Sequence, residues 1–173
     1  RDKLVTGVQT CALPICHLVF STLHTNDAPS AVTRLLDIGV KPFLVASALR
    51  AAMAQRLVRA ICNNCRAEYS PTERELKMLG AMGKGAVGSL MYKGKGCPTC
   101  NQSGYKGRKG IFEISLVDDT IQRLIFDHSP ATVLRARARE MGMRTLREDG
   151  MLKVASGMTS LEEVLRATMG DAD

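Results

Sequence analysis

Two Cys-x-x-Cys pairs constrain this chain more than any other feature of its sequence. Cys62-Asn-Asn-Cys65 is the first and Cys97-Pro-Thr-Cys100 the second, with 31 residues between them. Two intervening residues let both thiolates of a pair point at one spot. Four thiolates complete the tetrahedral shell of Zn²⁺, which describes a closed structural site with no position open for catalysis. The gap exceeds the roughly 15–20 residues usual for a zinc ribbon, so the segment between the pairs must hold a small structure of its own. The expected metal ligands are therefore Cys62, Cys65, Cys97 and Cys100. Disulfides and a redox pair are the alternatives. Disulfides need an oxidising compartment, and nothing in the sequence reads as a secretory signal.

The first fifteen residues have a different character. Val5 to Ile15 read VTGVQTCALPI. Back-translated, this is a common DNA-sequencing adapter, and Arg1 to Leu4 match the bases that the same adapter design places upstream. Residues 1–16 are therefore expected to be an artefact, with genuine sequence starting at about His17, and such a segment is set aside in fold reasoning. Cys11 and Cys16 then drop out of the count, which leaves four cysteines, all in the metal pattern. A genuine apolar strand is the alternative. The segment is expected to pack poorly and to lie far from the cysteine pairs.

About 157 residues remain, enough for one domain or two small ones. An apolar fraction of 45 % is ordinary for a globular chain. No run of 18 apolar residues exists, so no membrane-spanning helix is expected. The net charge of +7 comes from basic residues spread along segments such as RARARE, a solvated face more than a nucleic-acid groove. Trp is absent and Phe and Tyr are few, so platforms for base stacking are scarce. The basic charge favours an anionic ligand, an acidic partner or an anionic membrane surface.

His17 to Leu23 reads HLVFSTL, a run expected to form a buried strand whose polar end, HTND, is exposed at its carboxyl edge. Ligands bind at that edge in open parallel sheets. A helix starts from Pro29, carrying Val32, Leu35, Leu36 and Ile38 and stopping at Gly39. Pro42 opens a second helix, PFLVASALRAAMAQ, expected to be buried on nearly all sides. RLVRAI is a possible strand leading into the first knuckle. Ser70-Pro-Thr-Glu73 is expected to cap TERELKML. Gly80, Gly83, Gly85 and Gly88 punctuate the next stretch without the Lys-Ser or Lys-Thr of a phosphate loop. NQSGYKGRKG reads as a turn-rich connection and GIFEISLV as a strand. Asp118 or Asp119 caps TIQRLIF, Ser129-Pro130 opens PATVLRARAREMG, and Thr145 opens TLREDGMLKVASG. Thr159-x-x-Glu162 caps SLEEVLRATM. Val133, Leu134, Met141 and Met143 are expected to pack against Leu146, Val154, Leu161 and Leu165. His17 and His128 are expected to be structural or surface residues.

HLVFSTLHTNDA, AQRLVR, the four cysteines, GRKGIFEI and DGMLKVASGMTSLEEVLR occur in this order. Together they resemble the C-terminal part of the bacterial traffic ATPases, which drive type II secretion and type IV pilus extension. The resemblance covers residues 17–173. It implies an α/β fold: the C-terminal part of a RecA-like P-loop core over residues 17–61, a tetracysteine zinc subdomain over 62–100, and a strand with a C-terminal helical subdomain over 101–173. It implies that STLHTN is the family's histidine box. His24 is then the catalytic histidine near the γ-phosphate, with Thr22, Thr25 and Asn26 supplying neighbouring hydrogen bonds to the nucleotide. It further implies ATP and Mg²⁺ in a full-length parent, a homo-hexamer, cytoplasmic and peripheral at the inner membrane, and partners among the platform and adaptor proteins of the secretion or pilus machine. No nucleic acid is expected. The family's Walker A loop, acidic box and Walker B strand are not found; Arg1-Asp2 resembles the end of the Walker B signature but falls in the adapter-like segment and is not counted. The chain alone is thus expected not to hydrolyse ATP. A zinc-ribbon module for nucleic acid, or a purely structural zinc module, is the rival reading.

Overall fold

The structure is a computed structural model and describes residues 18–78 and 91–169. The expectations for residues 1–15, His17, Cys11, Cys16 and the four glycines from Gly80 to Gly88 lie outside the described residues. Seven α-helices and four β-strands are described, an α/β composition: α1 Ser30–Asp37, α2 Pro42–Ala48, β1 Ala51–Ile61, β2 Arg66–Tyr69, α3 Glu73–Met78, β3 Met91–Gly94, β4 Tyr105–Leu116, α4 Asp119–Phe126, α5 Ala131–Glu140, α6 Leu146–Ala155 and α7 Leu161–Ala167. β1 pairs with β4, and β2 with β3. The bonds flanking the β1–β4 ladder are Cys62 N–H to the Gly104 carbonyl and Val117 N–H to the Arg50 carbonyl. They join the end of each strand to the start of the other, so the pair is antiparallel.

The chain divides into two compact units, residues 1–54 with 113–144 and residues 55–112 with 145–173. The tetracysteine segment shares its unit with α6 and α7, and β1 and β4 each continue through a division.

In the first unit, α1, α2, α4 and α5 surround a core of Val32, Val45, Ala46, Ile121, Ile125, Leu134, Ala138 and Met143. The caps explain where the helices start. Asp118 accepts from the Ile121 amide at the head of α4, as expected for one of the two candidate aspartates. α1 ends before Gly39 and α5 before Gly142, both glycines at positive φ. In β4, Ile111, Glu113 and Ser115 are buried, while Phe112, Ile114 and Leu116 are exposed. The period of two therefore turns a carboxylate inward.

In the second unit, Met91, Met151, Val154, Leu161 and Val164 form the core, with Tyr69 and Leu165 against it. Thr145 caps α6 through a capping box with Glu148. Glu163 is buried at 2 % side-chain exposure. Its carboxylate accepts from the Arg59 amide at 3.0 Å and the Arg59 guanidinium at 2.7 Å, and pairs with Arg166 at 2.7 Å.

The fold corrects several expectations. Residues 18–23 form no strand, and Leu18 and Phe20 are 73 % and 88 % exposed. A buried strand needs a ladder partner and covered faces, and no described residues supply them. The second helix ends at Ala48: Leu49 turns extended, and Ala51–Gln55 lie in β1. Alanine favours a helix locally, but pairing with β4 prevails over propensity. Phe43 and Met53 are more than half exposed, so this stretch is not buried all round. Tyr105–Lys109 belong to β4 and not to a connection. Thr72 caps α3 with Glu75, in place of Ser70 with Glu73. Ser160 caps α7, because the Thr159 hydroxyl donates instead to the Arg59 carbonyl. Leu134 and Met143 pack with α1, α2 and α4 and not with Val154 and Leu161, while Val133 and Met141 are exposed.

Candidate metal centre and histidine loop

The two knuckles share one local geometry. In the first, the Cys65 amide donates to the Cys62 carbonyl at 3.2 Å; in the second, the Cys100 amide donates to the Cys97 carbonyl at 3.1 Å. Each turn folds its second cysteine back toward its first. The segment between them contains β2, α3 and β3, with Arg66 opposite Gly94 and Tyr69 opposite Met91. That antiparallel pair returns the chain from Cys65 to Cys97 and so brings the knuckles face to face.

All four sulfurs lie within 4.8 Å of one another. Cys62 and Cys97 are 3.9 Å apart, Cys65 and Cys100 3.8 Å, and Cys97 and Cys100 3.6 Å. A regular tetrahedron with metal–sulfur bonds of about 2.3 Å has edges of about 3.8 Å. A disulfide needs about 2.05 Å, and all four cysteines are free. The separations therefore fit a tetrathiolate metal site, and the four residues could hold a metal ion.

The surroundings favour thiolate at one side of the cluster. The Asn64 side-chain amide donates to Cys97 Sγ at 3.4 Å and holds that thiol down to about 6. Burial pushes the Cys100 thiol up, but the amides of Cys97 and Gly104, each 3.3 Å from its sulfur, outweigh burial and leave it lowered. Desolvation pushes Cys65 up to about 11. Metal binds the thiolate, so hydrogen bonds that lower the Cys97 and Cys100 thiols favour the form a cation takes.

Two glycines that sequence reasoning passed over make this geometry possible. A Cβ on Gly94 would lie 2.0 Å from the Gly104 carbonyl oxygen. Gly104 has φ of +77°, and its own Cβ would lie 2.7 Å from the Gly94 carbonyl oxygen. The backbones on either side of the second knuckle touch, and only glycine permits that approach. The available signal was a glycine three residues before the knuckle's first cysteine and another four residues after its last.

The histidine loop is in the other unit. Thr22, His24 and Asn26 are exposed and Thr25 is half-buried, in a stretch without regular structure. The loop then enters a buried anchor. Asp27 accepts from the Ser30 amide and hydroxyl, both at 2.9 Å, and the Ala28 amide donates to Glu113 at 2.9 Å. Sequence reasoning also passed over Glu113, because a carboxylate in an apolar strand reads as a solvent-facing position.

The family model described as "Type II/IV secretion system protein" matches residues 1–166, a span that includes the adapter-like segment. The chain belongs to this family. It is 45 % identical over 98 % of its length to the type IV pilus assembly ATPase PilB of Thermus thermophilus, of which it covers 19 %. It is 49 % identical over 97 % of its length to the type II secretion system protein HxcR of Pseudomonas aeruginosa, covering 32 % of it. It is 45 % identical over 97 % of its length to the type II secretion system ATPase E of Vibrio cholerae, covering 33 %. The chain thus spans a fifth to a third of the length of these relatives. Among solved structures, the pilus retraction motor PilT with bound ADP matches 93 % of the chain and 36 % of its own length, at a TM-score of 0.56 and 20 % identity. That likeness shows the α/β fold alone.

Proposed function

We propose that this chain is the C-terminal part of a traffic ATPase that powers type II protein secretion or type IV pilus assembly. The observation that carries the reading is its identity of 45 % over nearly its whole length with relatives named as secretion and pilus assembly ATPases. In this reading residues 17–61 belong to a RecA-like nucleotide-binding core. His24 faces the γ-phosphate, and Thr22, Thr25 and Asn26 supply hydrogen bonds beside it. ATP, Mg²⁺ and the P-loop groups act in the full-length protein. Phosphoryl transfer rests on positioning and charge stabilisation, so a single histidine does not replace a phosphate loop, its lysine and a metal-binding carboxylate. The exposure of His24 and Asn26 supports a role toward a ligand.

The four cysteines hold Zn²⁺ as a structural ion, with Cys62, Cys65, Cys97 and Cys100 as its complete shell. Zn²⁺ supplies a cross-link there and no catalysis, because four thiolates leave no open position. The protein works as a homo-hexamer at the cytoplasmic side of the inner membrane, with platform and adaptor proteins as partners. No described helix is long and apolar enough to cross a membrane. Residues 1–15 derive from a sequencing adapter. Sequencing the source gene tests this, and an in-frame genomic origin for VTGVQTCALPI overturns it. Steady-state phosphate release from the full-length protein, with and without His24→Ala, tests the motor reading.

A further inference from the structure

Three residues after His24 the chain is fastened to two distant elements of its own unit. Asp27 pairs with Arg135 of α5, its Oδ2 2.9 Å from the guanidinium, and these side chains are 16 % and 15 % exposed. The Ala28 amide donates to Oε1 of Glu113 on β4, across 85 positions of sequence, with Ala28 1 % and Glu113 4 % exposed. Pro29 is fully buried behind them. A helix starting at Ser30 needs one side-chain acceptor nearby, and Asp27 already serves the Ser30 amide. Starting α1 therefore does not call for Glu113 or for Arg135. Both reach past the helix and grip the two residues where the histidine loop leaves the surface. A buried carboxylate is costly unless bonded, and the Ala28 amide is one of the groups that bond Glu113 in the inward register of β4.

We propose that Glu113 and Arg135 are positioning residues for the histidine loop. They act through Asp27 and Ala28 to hold Thr22–Asn26, and so His24, at a fixed distance from the nucleotide phosphates. The proposal rests on the reading of His24 as a nucleotide-facing group. Both side chains bond the base of the histidine loop, so each acts on turnover through His24. A displacement of about 1 Å at a reacting group can lower a rate by about 100-fold. Loss of one of two anchors is accordingly expected to cost about tenfold in kcat.

The test is ATP turnover by the full-length protein. Glu113→Ala and Arg135→Ala each lower kcat about tenfold and leave KM for ATP within about twofold. Glu113→Gln retains a carbonyl acceptor for the Ala28 amide and restores most of the loss. Combined with His24→Ala, neither substitution lowers turnover further, because residues that act through one group are not additive. Arg135→Ala keeps the test alive if Glu113→Ala fails to fold. Normal kcat in Glu113→Ala and Arg135→Ala beside an impaired His24→Ala overturns the positioning role and spares His24. Losses that add to that of His24→Ala overturn it as well. Normal kcat in His24→Ala itself removes the reading on which the proposal stands.

Discussion

At the residue scale the cysteine cluster is the sharpest object. Replacing Cys97 with Ser leaves three thiolates and removes the sulfur whose pKa Asn64 holds down to about 6. Metal analysis of the purified chain should find about one Zn²⁺ per molecule, and in Cys97→Ser well under half of that. Stoichiometric zinc in the variant would contradict the ligand set. Gly94→Ala keeps every cysteine, yet its Cβ would meet the Gly104 carbonyl at 2.0 Å. It should weaken zinc retention against a chelator at least about tenfold, the scale on which groups behind the ligands act on metal sites. Unchanged retention would mean that the two backbones can part freely. Glu163 gives a pH test. Burial alone would raise its pKa, but bonds from the Arg59 guanidinium and amide, with the Arg166 charge, outweigh burial and leave it below the ordinary carboxylate value. Its stabilisation is therefore complete above the ordinary value of about 4.3 and is lost as pH falls through the lowered folded value. Arg59 and Arg166 side chains are 42 % and 63 % exposed, so water takes over part of their charge. Glu163→Gln should cost about 1–2 kcal/mol at pH 7, mostly the lost charge-assisted hydrogen bonds. Thermal melts from pH 7 to pH 3 should show that difference shrinking. A difference independent of pH would contradict the ionised pairing.

At the scale of elements, the sequence was readable where local chemistry decides the outcome. Asp118 before TIQRLIF, Thr145 before LREDGMLKVA and Gly142 after the fifth helix each act within four residues of themselves, and the structure uses each at its expected end. The knuckles were legible for the same reason. What failed was decided at long range. Ala51–Gln55 continue a helix-like pattern, and only the distant strand β4 makes them extended. Between Thr159 and Ser160 as the cap of α7, the choice depends on the Arg59 carbonyl, 100 residues away, which engages the Thr159 hydroxyl. The inward carboxylate of Glu113 is legible only once the strand's buried face is known. The capping box of α6 offers a prediction at this scale. Thr145→Ala removes the acceptor for the Glu148 amide and should lower stability by about 1 kcal/mol, read as a shift in the denaturation midpoint without a change in slope. An unchanged midpoint would mean that α6 is held by packing of Leu146, Met151 and Val154 alone.

At the scale of the whole molecule, the chain corresponds to a fraction of the length of its relatives. It spans 19–33 % of its PilB, HxcR and ATPase E relatives. Leu18, Val19 and Phe20 lie exposed just ahead of His24. The chain by itself is predicted to release no phosphate from ATP. The most direct measurement is steady-state phosphate release by the full-length protein and by its His24→Ala variant under the same conditions. A traffic ATPase with His24 at the γ-phosphate should show sustained release by the full-length protein and a loss of at least about tenfold in His24→Ala, with zinc content unchanged. Absence of release from the full-length protein, or normal release by His24→Ala, would contradict it.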